Sequence, residues 1–309
     1  MAKKKKRLEV VTVTLRVNDY REFTFADFLM DPEISERDIK LSDRYVRLKY
    51  LEDCGDYIVG LVQTTKMQST PPKNNVTTGV LSPLGLTNVE GLAYPNVFLF
   101  EKHRGILLYE ISKEGTYLNQ FEDVIYRLSN DTWYKPFDIN FKTVYNVDSL
   151  EKLLSMGEKK TLEIEVANPD YLIRKSENEG KAVGEVLKPG KDLGADNFKI
   201  IASVGARTSH VLNGGFINSV LSGFQKLIPQ SDGAVKHIKL KGYTTENKDS
   251  LTEVDLVIDT MKLYIKVNER KNMADLQPTE RKQEIQSAYR SAIPDFDLYF
   301  NKLEHAKLE

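Results

Sequence analysis

One cysteine, Cys54, is all that 309 residues contain. A single thiol excludes an intrachain disulfide and a cysteine-rich zinc module, and it fits a reducing compartment. Histidine is scarce as well: His103, His210, His237 and His305 lie far apart, in no HxH, HxxxH or HExxH spacing. A helical metal site needs ligands about one turn apart, and here they are missing. Long apolar runs are absent, since no stretch approaches the roughly 20 residues needed to cross a bilayer. The opening segment Met1 to Arg7 is a Lys/Arg run followed at once by the alternating Leu8 to Leu15, not by an apolar signal core. A cytoplasmic protein, neither secreted nor membrane-spanning by itself, is expected. A strong excess of one charge is missing too. The formal net charge is -1, and setting aside the five positive charges of Lys3, Lys4, Lys5, Lys6 and Arg7 leaves the rest of the chain at -6. Any polyanion must therefore be held by a local patch, because the overall charge does not steer it.

What is present is ordinary globular material, 40% hydrophobic and 29% charged, in a chain about twice the usual domain length. Residues 1–7 read as a basic disordered tail. Val10 to Val17 alternates as a half-buried strand, and Phe25, Phe28 and Leu29 mark a short helix that Pro32 ends. Arg44 to Leu51 and Tyr57 to Val62 form a hairpin around Asp53-Cys54-Gly55-Asp56. Ser69 to Gly91, rich in Pro, Asn, Thr and Gly, reads as a long mobile or functional loop. Tyr94 to Phe100 and Ile106 to Ile111 are strands, followed by a helix that Thr116 caps and that carries Leu118, Phe121, Val124, Ile125 and Leu128 on one face. A strand over Phe137 to Tyr145 and a short helix over Leu150 to Leu154 precede a domain boundary after Met156.

Beyond it come a strand over Thr161 to Val166, a Gly- and Pro-punctuated segment from Gly180 to Gly194, and a strand over Phe198 to Val204. A helix follows with Leu212, Phe216, Val220, Phe224 and Leu227 about one turn apart. Lys236 to Leu240, Val254 to Ile258 and Met261 to Val267 are strands, and a last helix starts at Pro278 and stops at Pro294. Strands with helices grouped after them predict an α+β fold of two domains, 8–156 and 157–309. Each is a mostly antiparallel sheet with helices packed on one side.

No catalytic residue, metal or cofactor is expected. Cys54 lies in a hairpin turn with no histidine near it in sequence, so an inert thiol is the plainer reading. Asn213-Gly214-Gly215 and Val204-Gly205-Ala206-Arg207 match neither GxGxxG nor the P-loop; close helix packing or a helix break explains the first. Asp255, Asp259 and Lys262 offer the residue types of a nuclease in an order that fits no nuclease signature.

The late strands are more informative. Side chains alternate along a strand, so Ile238 and Leu240 fall on one face while His237, Lys239 and Lys241 fall on the other. Met261, Leu263, Ile265 and Val267 separate in the same way from Lys262, Tyr264 and Lys266. If both strands share a sheet, one face carries four lysines, a histidine and a tyrosine, extended by Lys236, Arg270 and Lys271. Lysines supply charge for a phosphate backbone, and Tyr264 packs on sugar or base. The plainer reading is a solvated sheet face, with Glu246, Asp249, Glu253 and Asp255 offsetting the charge. The run Lys3 to Arg7 is open in the same way, as a nucleic-acid arm or as solubilising disorder.

Glu90-Gly91-Leu92-Ala93-Tyr94-Pro95-Asn96-Val97-Phe98-Leu99-Phe100, with the turn, second strand and helix through Phe121, resembles the phage lambda exclusion protein RexA and its relatives. Val254-Asp255-Leu256-Val257-Ile258 before a lysine-bearing strand adds to the likeness, as does the strand and helix over Asn18 to Met30 before a hairpin. The resemblance implies a homodimeric, sequence-tolerant binder of double-stranded DNA in abortive infection. It also implies a C-terminal fold similar to the recombination-associated protein RdgC and a membrane effector protein as partner. The longer Ser69 to Gly91 loop and the Lys3 to Arg7 run depart from that family. The expected DNA contacts are Lys236, His237, Lys239, Lys241, Lys262, Tyr264, Lys266, Arg270 and Lys271, with Lys3, Lys4, Lys5, Lys6 and Arg7. The competing expectation is a protein-interaction adaptor or sensor subunit of a defence complex, without nucleic-acid binding, that uses the 69–91 loop.

Overall fold

The computed structural model describes residues 3–17, 23–34, 37–67, 70–129, 137–176, 181–205, 208–231, 233–245, 250–268 and 275–308. The fold is α+β. The first half runs β1 (Lys4–Val17), α1 (Phe25–Met30), β2 (Ile39–Leu41), β3 (Arg44–Asp53), β4 (Tyr57–Lys66), β5 (Lys73–Asn74), β6 (Leu81–Ser82), β7 (Leu92–Glu101), β8 (Ile106–Glu110), α2 (Leu118–Ser129), β9 (Phe137–Thr143) and α3 (Val147–Leu154). The second half runs β10 (Met156–Ala167), α4 (Pro169–Ser176), α5 (Lys181–Asp192), β11 (Asn197–Ser203), α6 (Gly214–Leu227), β12 (Val235–Thr244), β13 (Thr252–Asp255), β14 (Lys262–Val267) and α7 (Pro278–Leu308).

Two compact units result: Met1–Leu8, Leu15–Ile139 and Tyr264–Ser287 form one, and Glu9–Thr14, Asn140–Leu263 and Ala288–Glu309 form the other. Where the sequence suggests a single cut after Met156, the chain contributes three stretches to each unit. The eight-stranded sheet has the order β14-β1-β8-β7-β4-β3-β2, with β9 also paired to β1. The predicted β3–β4 hairpin forms, and β7 and β8 continue the antiparallel ladder. From Asn96 to Glu101 every β7 residue is buried, as is all of β8, so the continuous apolar runs are central strands covered on both faces. On one face Phe98 and Tyr109 meet Phe121 of α2 at 5.9 and 5.2 Å, and Phe100 meets Phe25 of α1 edge-on at 4.9 Å. Thr24 and Asp27 close a reciprocal capping box on α1. Thr116, expected as a cap, instead shares a buried 2.6 Å hydrogen bond with Thr64, and Gln120 accepts from the Tyr117 N–H at the start of α2.

On the other face Glu110 is buried, and its carboxylate accepts from Arg281 NH1 of α7 and from the Val97 N–H. Between β4 and β7 the long loop contains the small hairpin β5–β6, closed by Gly79 at φ +70 and by Asn75, whose side chain accepts from the Thr77 and Thr78 amides.

In the second unit β11-β10-β12-β13 form an antiparallel sheet whose inward residues Leu162, Ile164, Ile238, Leu240 and Val254 are buried. The Gly- and Pro-punctuated stretch is the helix α5. Val183 and Leu187 bury one turn apart, and Gly190 lies against Phe198, where a Cβ would collide. Pro189 lies inside the helix and costs it one hydrogen bond, which the burial of Leu187 and Gly190 beside it outweighs. The helix α6 begins at Gly214, because the Asn213 side chain accepts from the Phe216 N–H. Asn213-Gly214-Gly215 is thus a helix start, Leu212 precedes the helix, and Phe216 is 38% exposed. Strand β13 ends at Asp255 and not at Ile258. The last helix continues through Pro294 to Leu308, and Ala292, Phe296 and Tyr299 around the proline are buried. Burial lifts the Tyr299 phenol to about 12.

Candidate nucleic-acid interface

Alternation along β12 holds: Ile238 and Leu240 are fully buried, and His237, Lys239 and Lys241 point outward. Lys236 falls where the β10–β12 register shifts, at a bulge that exposes it. The neighbouring strands decide what that face is. Lys239 lies between Glu163 and Asp255, Lys241 opposite Glu253, and His237 opposite Glu165. Lys241 Nζ meets Glu253 at 2.5 Å, Lys239 approaches Glu163 at 3.9 Å, and His237 Nδ1 lies 2.7 Å from Asp255. On β11, Lys199 bridges Glu163 at 2.9 Å and Glu165 at 3.7 Å. The hydrogen bond from Lys199 holds the Glu163 carboxyl below its ordinary range, and the Glu253 carboxylate raises Lys241. Columns of opposite charge alternate across the sheet, so this face offers a phosphate chain no positive field.

The expectation that β12 and β14 share a sheet is not met. Asp255 Oδ1 accepts from the Val257 N–H, Asp259 Oδ2 accepts from the Asp255 N–H, and the Asp259 N–H donates to Asp255 O at 2.9 Å. That tight turn ends β13 and carries Met261 to Val144, to which it donates its N–H at 2.8 Å. Strand β14 then lies at the end of the other sheet, beside β1. Lys262 donates to the Ile258 carbonyl at 2.9 Å. The same turn engages both Asp255 and Asp259.

The basic run is not a disordered tail. From Lys4 onward it is the first part of β1, and the Ile111 N–H donates to Arg7 O at 2.9 Å. Within the first unit this strand runs beside β14, and alternation turns Lys5 and Arg7 to the face of Tyr264 and Lys266 and Lys4 and Lys6 to the opposite face. Lys5 Nζ sits 3.7 Å above the Tyr264 ring, and Tyr264 is 45% exposed. Glu284 of α7 enters this cluster. One of its oxygens accepts from Lys3 Nζ at 2.9 Å and the other from the Lys266 N–H at 3.1 Å. Burial pushes the Glu284 carboxyl up, but these two donors hold it below its ordinary value, and the hydrogen bond to Glu284 raises Lys3 in turn. Sequence reasoning missed Glu284; the pair Glu280 and Glu284, one helical turn apart, was the available sign. Arg270 and Lys271 lie outside the described residues.

Among the described residues no group of three His, Cys, Asp or Glu comes together as a metal would require, and no helix is long and apolar enough to cross a membrane. Burial raises the Cys54 thiol above its ordinary value. The loop between β4 and β7 is the other unusual surface. Val76 and Val89 are 94% and 87% exposed, and Val80, Leu81, Leu84 and Leu86 are exposed beside them. Of residues 70–90 only Lys73 and Glu90 are charged.

No family model matches the chain, and no curated protein does.

Proposed function

We propose that the protein is a sequence-tolerant DNA-binding component of an anti-phage defence system, acting in abortive infection or exclusion. It holds duplex phosphates through the strand pair β1–β14. The observation that carries the reading is the setting of Lys5 and Arg7 on one face of a strand, the face that Tyr264 and Lys266 of the adjoining edge strand share. A rigid row of cations binds phosphates with less loss of side-chain and backbone freedom than a coil does, and contacts to phosphate carry no sequence preference. The defence setting rests on the likeness of Glu90 to Phe100 to RexA, as do a homodimer and a membrane effector partner. The test compares K4Q/K5Q/K6Q/R7Q with K239Q/K241Q in duplex DNA binding. The first variant is expected to lose binding, while the second retains it because those lysines lie outside the β1–β14 pair. Equal loss in both variants, or in neither, contradicts the assignment.

The exposed apolar loop favours a second reading, an adaptor whose partner covers residues 70–90. Charge depletion with exposed aliphatic side chains is the composition of an interface core. Removing residues 72–88 is expected to abolish partner capture and leave DNA affinity unchanged; the opposite result excludes this reading.

A further inference from the structure

We propose that β11 is the contact strand of the homodimer, pairing antiparallel with its own copy so that two four-stranded sheets become one. The surface rests on the homodimer reading for its occupant and is independent of DNA binding. Its basis is the backbone of β11. The Asn168 N–H donates to Asp196 O at 2.7 Å and the Val204 N–H to Lys160 O at 2.9 Å, one at each end of the β10–β11 ladder. Antiparallel alternation between these points turns the amides of Phe198, Ile200 and Ala202 toward β10. Those of Asn197, Lys199, Ile201 and Ser203 turn outward, and all four residues are exposed, Ile201 by 55%. The ladder is unbroken from Thr161↔Ser203 to Ala167↔Asn197, so no bulge twists the edge away.

Edges of this kind are normally blunted by lysines, proline, shortness or a covering group. The ends of the longer strand path and the far end of this sheet are. Strand β14 carries Lys262 and Lys266, with the Lys266 N–H taken by Glu284; β2 has 3 residues, and β13 has 4 before the Asp255 turn. Strand β11 has 7 residues, no proline and one charge.

A twofold axis through full overlap of β11 pairs Asn197 with Ser203 and Lys199 with Ile201, and sets Ile200 opposite itself. The outward residues then coincide with the hydrogen-bonded pairs, as a C2 interface requires. No lysine faces its own copy, and each Lys199 keeps Glu163 and Glu165 as counterions. Slipping the register to centre on Lys199 would oppose two like charges and shorten the overlap.

The experiment uses the full chain. Light scattering after gel filtration is expected to give twice the chain mass, falling to a single chain in Ile201→Lys, which puts two Lys–Lys pairs across the axis. In a Cys54→Ser background, Ile200→Cys is expected to cross-link under mild oxidation. Directly opposed residues of a non-hydrogen-bonded pair have Cα atoms about 4.5 Å apart, within disulfide reach. Asn197→Cys, far from its own copy in this register, is expected not to cross-link. If Ile201→Lys misfolds by circular dichroism, the two cysteine variants decide alone. A monomer at every concentration overturns both the surface and the homodimer. A dimer without the Ile200→Cys link overturns the surface and leaves the homodimer reading standing. Addition of another protein's strand to β11 in place of a second copy also overturns it.

Discussion

Arg281 and Glu110 form a buried charge pair that ties α7 to β8 within the first unit, with side chains 3% and 1% exposed. Arg281 NH1 reaches both carboxylate oxygens at 2.5 Å, and its Nε donates to the Leu276 carbonyl at 3.1 Å. Replacing Arg281 with Ala leaves Glu110 with the Val97 N–H as its one remaining donor of these, in a site closed to water. An uncompensated buried carboxylate costs about 3–5 kcal/mol, a large part of the roughly 5–15 kcal/mol that holds a domain folded. Replacing both partners, as in Arg281→Met with Glu110→Leu, removes the charges together and is expected to recover most of that loss, because desolvation of the pair nearly cancels its attraction. Urea unfolding of the wild type, both single variants and the double variant measures each cost and the coupling between them. A single-variant cost under about 1 kcal/mol, or a double variant as unstable as the sum of the singles, refutes the reasoning.

Three further outcomes follow from particular contacts. Glu284→Gln removes the counterion of Lys3, and duplex affinity is expected to rise with a salt slope steeper by about one, read by anisotropy at several salt concentrations. Asn213→Ala removes the α6 cap and is expected to cost about 1 kcal/mol in urea unfolding, where Asn213→Gly costs only a few tenths. Val76→Ser with Val89→Ser touches side chains already in water and is expected to change stability by less than about 0.5 kcal/mol, while weakening any partner that uses the 70–90 loop.

Local signals in the sequence specify most of the strands. The β3–β4 hairpin, the apolar runs of β7 and β8, and the one-sided face of α2 follow from alternation and turn chemistry, which act over a few residues. The alternation of β12 and β14 is equally readable. Their sheet membership is not, because the turn built by Asp255 and Asp259 separates them and pairing over long sequence distances chooses their neighbours. The same blindness hid the carboxylates: Glu163 lies far from Lys239 in sequence and next to it in the sheet. Pro189 and Pro294 look like helix ends, yet burial of Leu187 on one side and Phe296 on the other outweighs one lost hydrogen bond each. The basic run looks like a tail because charge density alone is what disorder and a solvent-exposed strand end have in common.

The most direct measurement is the salt dependence of binding to a short duplex. With Lys5 and Arg7, on the Tyr264 face, each meeting a phosphate, the logarithm of affinity falls against the logarithm of salt with a slope of about -1.8, a loss of roughly one order of magnitude between 50 and 200 mM. In K4Q/K5Q/K6Q/R7Q the slope is expected to flatten toward zero. No binding at the lower salt, or an unchanged slope in that variant, contradicts the account.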